Sequence, residues 1–247
     1  MRSLNFKWLA VCTVVVMGGI STGAFAQGMF APGSTQRDPG KGLAGILGKK
    51  YAFTATAKTV TKETQRSKPE TFEYAYALLD GKSRVEMDMA KALKGDDAEM
   101  MKKMGMDRLV IIHIPGSTTF TMMYPGMKAY CEMPAAQNDA TDEKAKVERT
   151  ELGKETVDGH PCVKTKVTTT KEDGTTSESL VWEATDLRNF PIQCESPTDK
   201  GGMTTTLFKD IKTDKPAVSL FETPADFKKY GSVQEMMMSA MQGMMPQ

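Results

Sequence analysis

The sequence predicts a mostly antiparallel β domain, and three observations carry that expectation. Apolar and polar residues alternate in segment after segment, the pattern of a strand with one covered face. Asp-Gly pairs stand between several of these segments, at Asp80-Gly81, Asp158-Gly159 and Asp173-Gly174. Turn signals recur every ten residues or so, a spacing that belongs to antiparallel barrels and sandwiches rather than to α/β folds.

Taken in order, the first alternating segment puts Tyr51, Phe53, Ala55 and Ala57 on one face and Thr54, Thr56 and Lys58 on the other. Phe72, Tyr74, Tyr76 and Leu78 repeat the pattern. Asp80-Gly81 then leads into Val85, Met87 and Met89, which alternate with Arg84, Glu86 and Asp88, a strong hairpin signal. Ala90 to Gly105 breaks the rhythm. Leu93, Met100, Met101 and Met104 among charged residues predict one helix, interrupted near Gly95-Asp96. Leu109 to Ile114 is apolar on both faces, as in a strand covered from both sides. Thr118–Tyr124 and Lys128–Met133 form a hairpin about Pro125-Gly126, and Gln137–Ala145 is a polar loop.

A second series follows: Val147–Thr156, Cys162–Lys171, Thr175–Ala184, Asn189–Cys194 and Met203–Lys212. The total is roughly ten or eleven strands with one or two helices. In the tail, Thr223-Pro224-Ala225-Asp226 has the composition of a helix start. Phe227, Tyr230, Val233, Met237, Met241 and Met244 then fall on one helical stripe.

The N-terminus reads as a secretory signal. Arg2 and Lys7 precede an apolar run from Trp8 to Ile20, and Ala24-Phe25-Ala26 supplies the small residues at which cleavage is expected, after Ala26. The run is shorter than the ~18 residues of a spanning helix, so the processed chain is not expected to be an integral membrane protein. The implied destination is the periplasm. Residues 27–48, rich in Gly and Pro, read as a flexible leader, 49–230 as the β domain and 231–247 as a Met-rich helical tail. Without the signal the chain carries 30 basic and 31 acidic side chains. That balance argues against a nucleic-acid partner, which calls for a basic excess or stripe.

Chemistry-bearing motifs are sparse. The two histidines, His113 and His160, read as a sheet histidine and a turn residue. No nucleophile elbow, paired-histidine metal motif or phosphate loop is present, so neither enzyme activity nor a cofactor is expected. Cys131, Cys162 and Cys194 remain after signal removal. One disulfide among them is compatible with an oxidising compartment, the pair being left open.

Methionine is the unusual feature, with 20 in the chain. Three readings stand: gap-filling core residues, an adaptable lining for varied apolar ligands, and thioether ligands for Cu(I). The last would use Met101 and Met104 with Met241 and Met244, and would make this a periplasmic copper-binding or stress protein.

The runs Gly153–Lys164 (GKETVDGHPCVK), Val181-Trp182-Glu183-Ala184 with Phe190-Pro191-Ile192, and Leu220–Tyr230 (LFETPADFKKY) together resemble an uncharacterised family of exported bacterial proteins. The fold of that family is similar to that of the LolA-type outer-membrane lipoprotein carriers. The resemblance implies an unclosed, strongly curved antiparallel half-barrel of about eleven strands, with helices covering its concave face. It also implies a periplasmic carrier-like protein whose partners are lipid or lipoprotein acyl chains. Phe53, Phe72, Tyr74, Tyr76, Met100, Met101, Met104 and Trp182 would line the hollow, which must then not be filled by the chain's own side chains.

Overall fold

The computed structural model describes residues 51–92, 96–134, 146–170, 174–198 and 200–243. The signal segment, the leader, the whole polar loop at 137–145, Leu93, Gly95, Asp173 and Met244 lie outside the described residues.

Twelve strands form one sheet. The first half holds β1 (Phe53–Lys62), β2 (Glu70–Leu79), β3 (Lys82–Asp88), β4 (Arg108–His113), β5 (Thr119–Tyr124) and β6 (Ala129–Pro134). The second holds β7 (Lys146–Val157), β8 (His160–Thr170), β9 (Thr176–Ala184), β10 (Phe190–Pro197), β11 (Met203–Lys212) and β12 (Lys228–Tyr230). Their spatial order is β12-β6-β5-β4-β3-β2-β1-β11-β10-β9-β8-β7, so the sheet is unclosed and two consecutive meanders join where β1 pairs with β11. All pairings are antiparallel except β12 on β6. The strand beyond the expected eleven is this three-residue β12, too short to leave a periodic trace. Laid flat, twelve strands would spread over about 50 Å. The inner side chains of β1 to β6 and β8 to β11 instead form one contiguous buried cluster, as in a strongly curved half-barrel.

Turn chemistry sets the register. Asp80 and Gly81 both take positive φ (52° and 80°), as do Asp158 and Gly159 (47° and 86°). Two such residues make the turn whose twist matches that of the flanking strands. Pro191, which cannot donate to a ladder, sits where the β9–β10 register shifts.

The helical interruption is two short helices, α1 (Met89–Ala92) and α2 (Asp96–Lys103). A glycine cap ends α2: Gly105 N–H donates to the Lys102 carbonyl and Met106 N–H to that of Met101, both at 2.9 Å, with Gly105 at φ +70°. β4 is buried on both faces. Leu109 and Ile111 join the inner cluster, while Val110 and Ile112 join a smaller outer one with Ala77, Leu79, Met123 and Phe221.

The tail departs from the sequence expectation. No helix starts at Thr223; α3 spans Val233–Gly243. Glu235 N–H donates to Ser232 Oγ at 3.1 Å, and the Glu235 carboxylate accepts from Gly231 N–H at 2.8 Å. Ser232-x-x-Glu235 is thus the start signal that operates. The physical reason is topological. Phe227 packs on the outer cluster, whereas Val233 and Met236 pack on the inner one. The chain must therefore cross the sheet edge between them, and it does so as β12, which a continuous helix does not allow. Replacing Ser232 by alanine is expected to cost about 1 kcal/mol. Chemical denaturation checks this; no change would mean that the cap is not formed in solution.

Candidate functional site

The inner face of the half-barrel is graded along the strands. At one end lies an aromatic cluster. Phe53 meets Phe190 at 4.7 Å between ring centroids, Phe208 at 5.6 Å and Tyr76 at 5.7 Å. Phe53 and Tyr76 are almost wholly buried, as are Leu78, Val85, Leu109, Phe120, Met122 and Tyr124 beside them. Over this floor α2 and the residues after it contribute Met104 and Met106, and α3 contributes Val233 and Met236, at 0–8 % exposure. Met100 and Met101 pack against the same cluster, partly buried.

Of the residues expected to line a hollow, Phe53, Tyr74, Tyr76, Met104 and Trp182 are therefore buried in one cluster, and Phe72 is half-buried. An unfilled hollow is not what the described residues form: methionines occupy the space between sheet and helices. Their unbranched side chains reach into gaps that branched residues cannot follow.

Trp182 is placed differently from the aromatic cluster. Its indole N–H donates to Glu155 Oε2 at 2.8 Å, and the Lys164 ammonium lies 4.7 Å above the ring. The hydrogen bonds from Trp182 and then Lys164 hold the Glu155 carboxyl below its ordinary range. Its neighbour Glu183, on the opposite side of β9 by strand alternation, accepts from Arg149 at 3.2 Å, Thr165 Oγ1 at 3.3 Å and the Tyr51 hydroxyl at 3.5 Å. The Tyr51 ring packs edge-on to Phe190, so one side chain joins the aromatic cluster to this charged one. Burial and then the Glu183 charge push the Tyr51 hydroxyl above its usual range.

Beyond Glu183 the inner face turns polar. Thr59 Oγ1 lies 2.9 Å from Thr206 Oγ1 and 3.1 Å from the Tyr74 hydroxyl. Thr61 and Thr204 meet at 3.2 Å, and Ser179 and Ser196 at 2.9 Å. The β-register aligns Thr61, Thr204, Ser196, Ser179, Val167 and Arg149 in one row across six strands. Sequence reasoning did not single out this row or the Glu183 cluster. Its only local trace is Thr at alternate positions on β1 and β11.

On the outer face an open depression of about 280 Å³ is bordered by Glu73, Glu86, Asp88, Lys91 and Arg108, with Ala75 among its lining residues. Glu86 is bonded there to both Arg84 and Arg108.

Cys131, Cys162 and Cys194 are free and buried, which corrects the expectation of a disulfide. Cys162 on β8 and Cys194 on β10 have β9 between them, about 9.6 Å across two strand spacings; a disulfide needs Cα atoms under about 7 Å apart. Burial pushes the Cys131 thiol up to about 11 and the Cys194 thiol up to about 12, and raises Cys162 as well. All three are expected to resist a thiol reagent at neutral pH until the protein is denatured. A raised thiol pKa stabilises the fold below pH 9, and that stability is lost as pH climbs toward 11, where the unfolded chain ionises first. Rapid native-state labelling of Cys194 would contradict both statements.

Met101 and Met104 lie on or just after α2 and belong to or flank the buried cluster, whereas Met241 on α3 is 40 % exposed. Among the described residues no three His, Cys, Asp or Glu side chains are grouped to hold a metal. His160 Nδ1 lies 2.8 Å from Asp186 at the surface, and His113 is buried in β4. No described helix is long and apolar enough to cross a membrane.

An unclosed antiparallel sheet roofed on its inner face by short helices defines the protein as an open β half-barrel. Residues 62–192, more than half of the chain, match the family described as "Domain of unknown function (DUF4412)", and the chain belongs to that family. No curated protein matches it. Solved structures to which it is similar include the lipoprotein LppX of Mycobacterium tuberculosis, at 8 % identity and TM-score 0.39 over 72 % of this chain and 96 % of that one. A LolA-superfamily protein from Nitrosomonas europaea is similar at 11 % identity and TM-score 0.34, over 75 % and 92 %. LprF from Mycobacterium bovis is similar at 11 % and 0.36, over 76 % and 95 %. The strand order above, not these likenesses, defines the fold.

Proposed function

We propose that this is an exported, non-enzymatic envelope protein that holds an apolar ligand, such as a lipid acyl chain, between the inner face of the half-barrel and its methionine roof. The observation that carries this reading is the composition of the contact. A floor centred on aromatic rings faces mostly thioether side chains from α2, the residues just after it and α3, rather than the branched side chains that fill a permanently closed core. Val233 is the one branched side chain among the buried roof residues. In the state described the methionines fill the hollow; a bound chain takes their place as α2 or α3 shifts outward. Export rests on the charged, apolar and small-residue pattern of residues 1–26, and the ligand is then met in the periplasm.

The copper alternative has weaker support, since Met104 is committed to the buried cluster. Delipidated protein is expected to take up a fluorescent long-chain fatty-acyl probe saturably, with a blue-shifted emission. Protein that purifies without lipid and takes up no such probe overturns the proposal.

A further inference from the structure

We infer that the polar end of the inner face selects an uncharged, hydroxyl-bearing head group, so that the ligand is an amphiphile of the acyl-polyol or glycolipid class. The inference rests on the reading of the aromatic end as an acyl-chain site and adds the identity of the other half of the ligand. Three observations carry it.

The first is continuity. Tyr51 touches Phe190 with its ring and Glu183 with its hydroxyl, so a molecule extending along the strands passes from rings to polar groups without leaving the face.

The second is the hydroxyl row. Thr61, Thr204, Ser196 and Ser179 are all partly exposed, unlike Thr59, Thr165 and Thr206 in the adjacent row, which are buried. A serine or threonine hydroxyl both donates and accepts, and has capacity beyond the one neighbour it meets here. Four such groups in register can each donate or accept, which is what a polyol offers in return.

The third is charge. Arg149, 43 % exposed, is already paired with Glu183, and Glu151 neighbours it on the same strand. An anionic head would meet a cation that is neutralised beside a second carboxylate. A cationic head would displace Arg149 from a carboxylate that also accepts from Thr165 and Tyr51. An uncharged head pays neither cost and keeps every hydrogen bond.

The test uses three amphiphiles with the same alkyl chain, each below its micelle concentration: an alkyl glucoside, a fatty acid and an alkyl trimethylammonium salt. Each displaces the fluorescent acyl probe from the full processed chain. The glucoside is expected to bind about tenfold more tightly than either charged analogue, the effect of one or two net hydrogen bonds. Thr61→Val combined with Thr204→Val removes a hydroxyl pair together, leaving neither partner orphaned. That variant should lose most of the glucoside preference while binding the fatty acid as before, with thermal unfolding confirming that it folds. Equal binding of all three, or tightest binding of the fatty acid, overturns the head-group inference and leaves the acyl-chain reading standing. Failure of all three to displace a bound probe also overturns the head-group inference alone, whereas failure of the probe to bind removes both.

Discussion

Replacing Phe53 with alanine is expected to destabilise the fold by about 3–5 kcal/mol, a large share of the roughly 5–15 kcal/mol typical of a whole domain. Phe53 is fully buried and contacts the rings of Phe190, Phe208 and Tyr76, which come from three different strands. β1 is also the strand at which the two meanders join, through β11 on one side and β2 on the other. Truncation there leaves a cavity at the seam of the sheet, and the neighbouring rings cannot all collapse into it. Phe53→Leu should cost much less, since it keeps most of the volume. Urea denaturation of both variants measures the difference. A loss below about 1 kcal/mol for the alanine variant would mean that this aromatic cluster is not the centre of the core.

The second large effect is expected at Gly105. It caps α2 in the left-handed region, at φ +70°, which costs a residue with a Cβ about 1–2 kcal/mol. A Cβ there would also stand 2.7 Å from the carbonyl carbon of Gly126, in the turn between β5 and β6. Both groups are backbone, so the end of α2 must lift from the hairpin. Gly105→Ala is expected to lose about 2–3 kcal/mol, more than the left-handed conformation alone demands. Gly116 is the matched control. Its φ is +78°, and a Cβ added there meets nothing within 4 Å, so Gly116→Ala reports the conformational cost alone. Because α2 carries part of the methionine roof, Gly105→Ala should also take up the acyl probe faster than the parent protein. Slower or unchanged uptake in a folded variant would mean that α2 does not guard the inner face.

Where signals are local, residues foretold structure well. The Asp-Gly turns at 80–81 and 158–159 form with both residues at positive φ, and the alternating faces of β1, β2 and β3 point as their patterns required. The apolar run from Leu109 predicts cover on both sides, and β4 is buried between the two clusters as far as His113, whereas Ile114 lies just past the strand and is exposed. The tail misled because spacing of three and four continues from Phe227 to Met241 although the chain passes from one sheet face to the other at Lys228–Tyr230. Periodicity records which residues are apolar, not which surface covers them. The candidate site was half legible. Its aromatic floor and methionines carry a compositional signal, whereas its hydroxyl row and Glu183 cluster do not.

By itself, then, the sequence determined the β class, the hairpins and the inward set on β1 to β3, because alternation and turn geometry act within about ten residues. Tertiary structure alone decided that β1 would lie against β11, which sets Thr61 beside Thr204, 143 residues away. It also decided that the hollow would be occupied by methionines from helices at distant points in the chain. Such partners are chosen by the summed burial and hydrogen bonding of the whole sheet, and no short stretch of residues contains that sum.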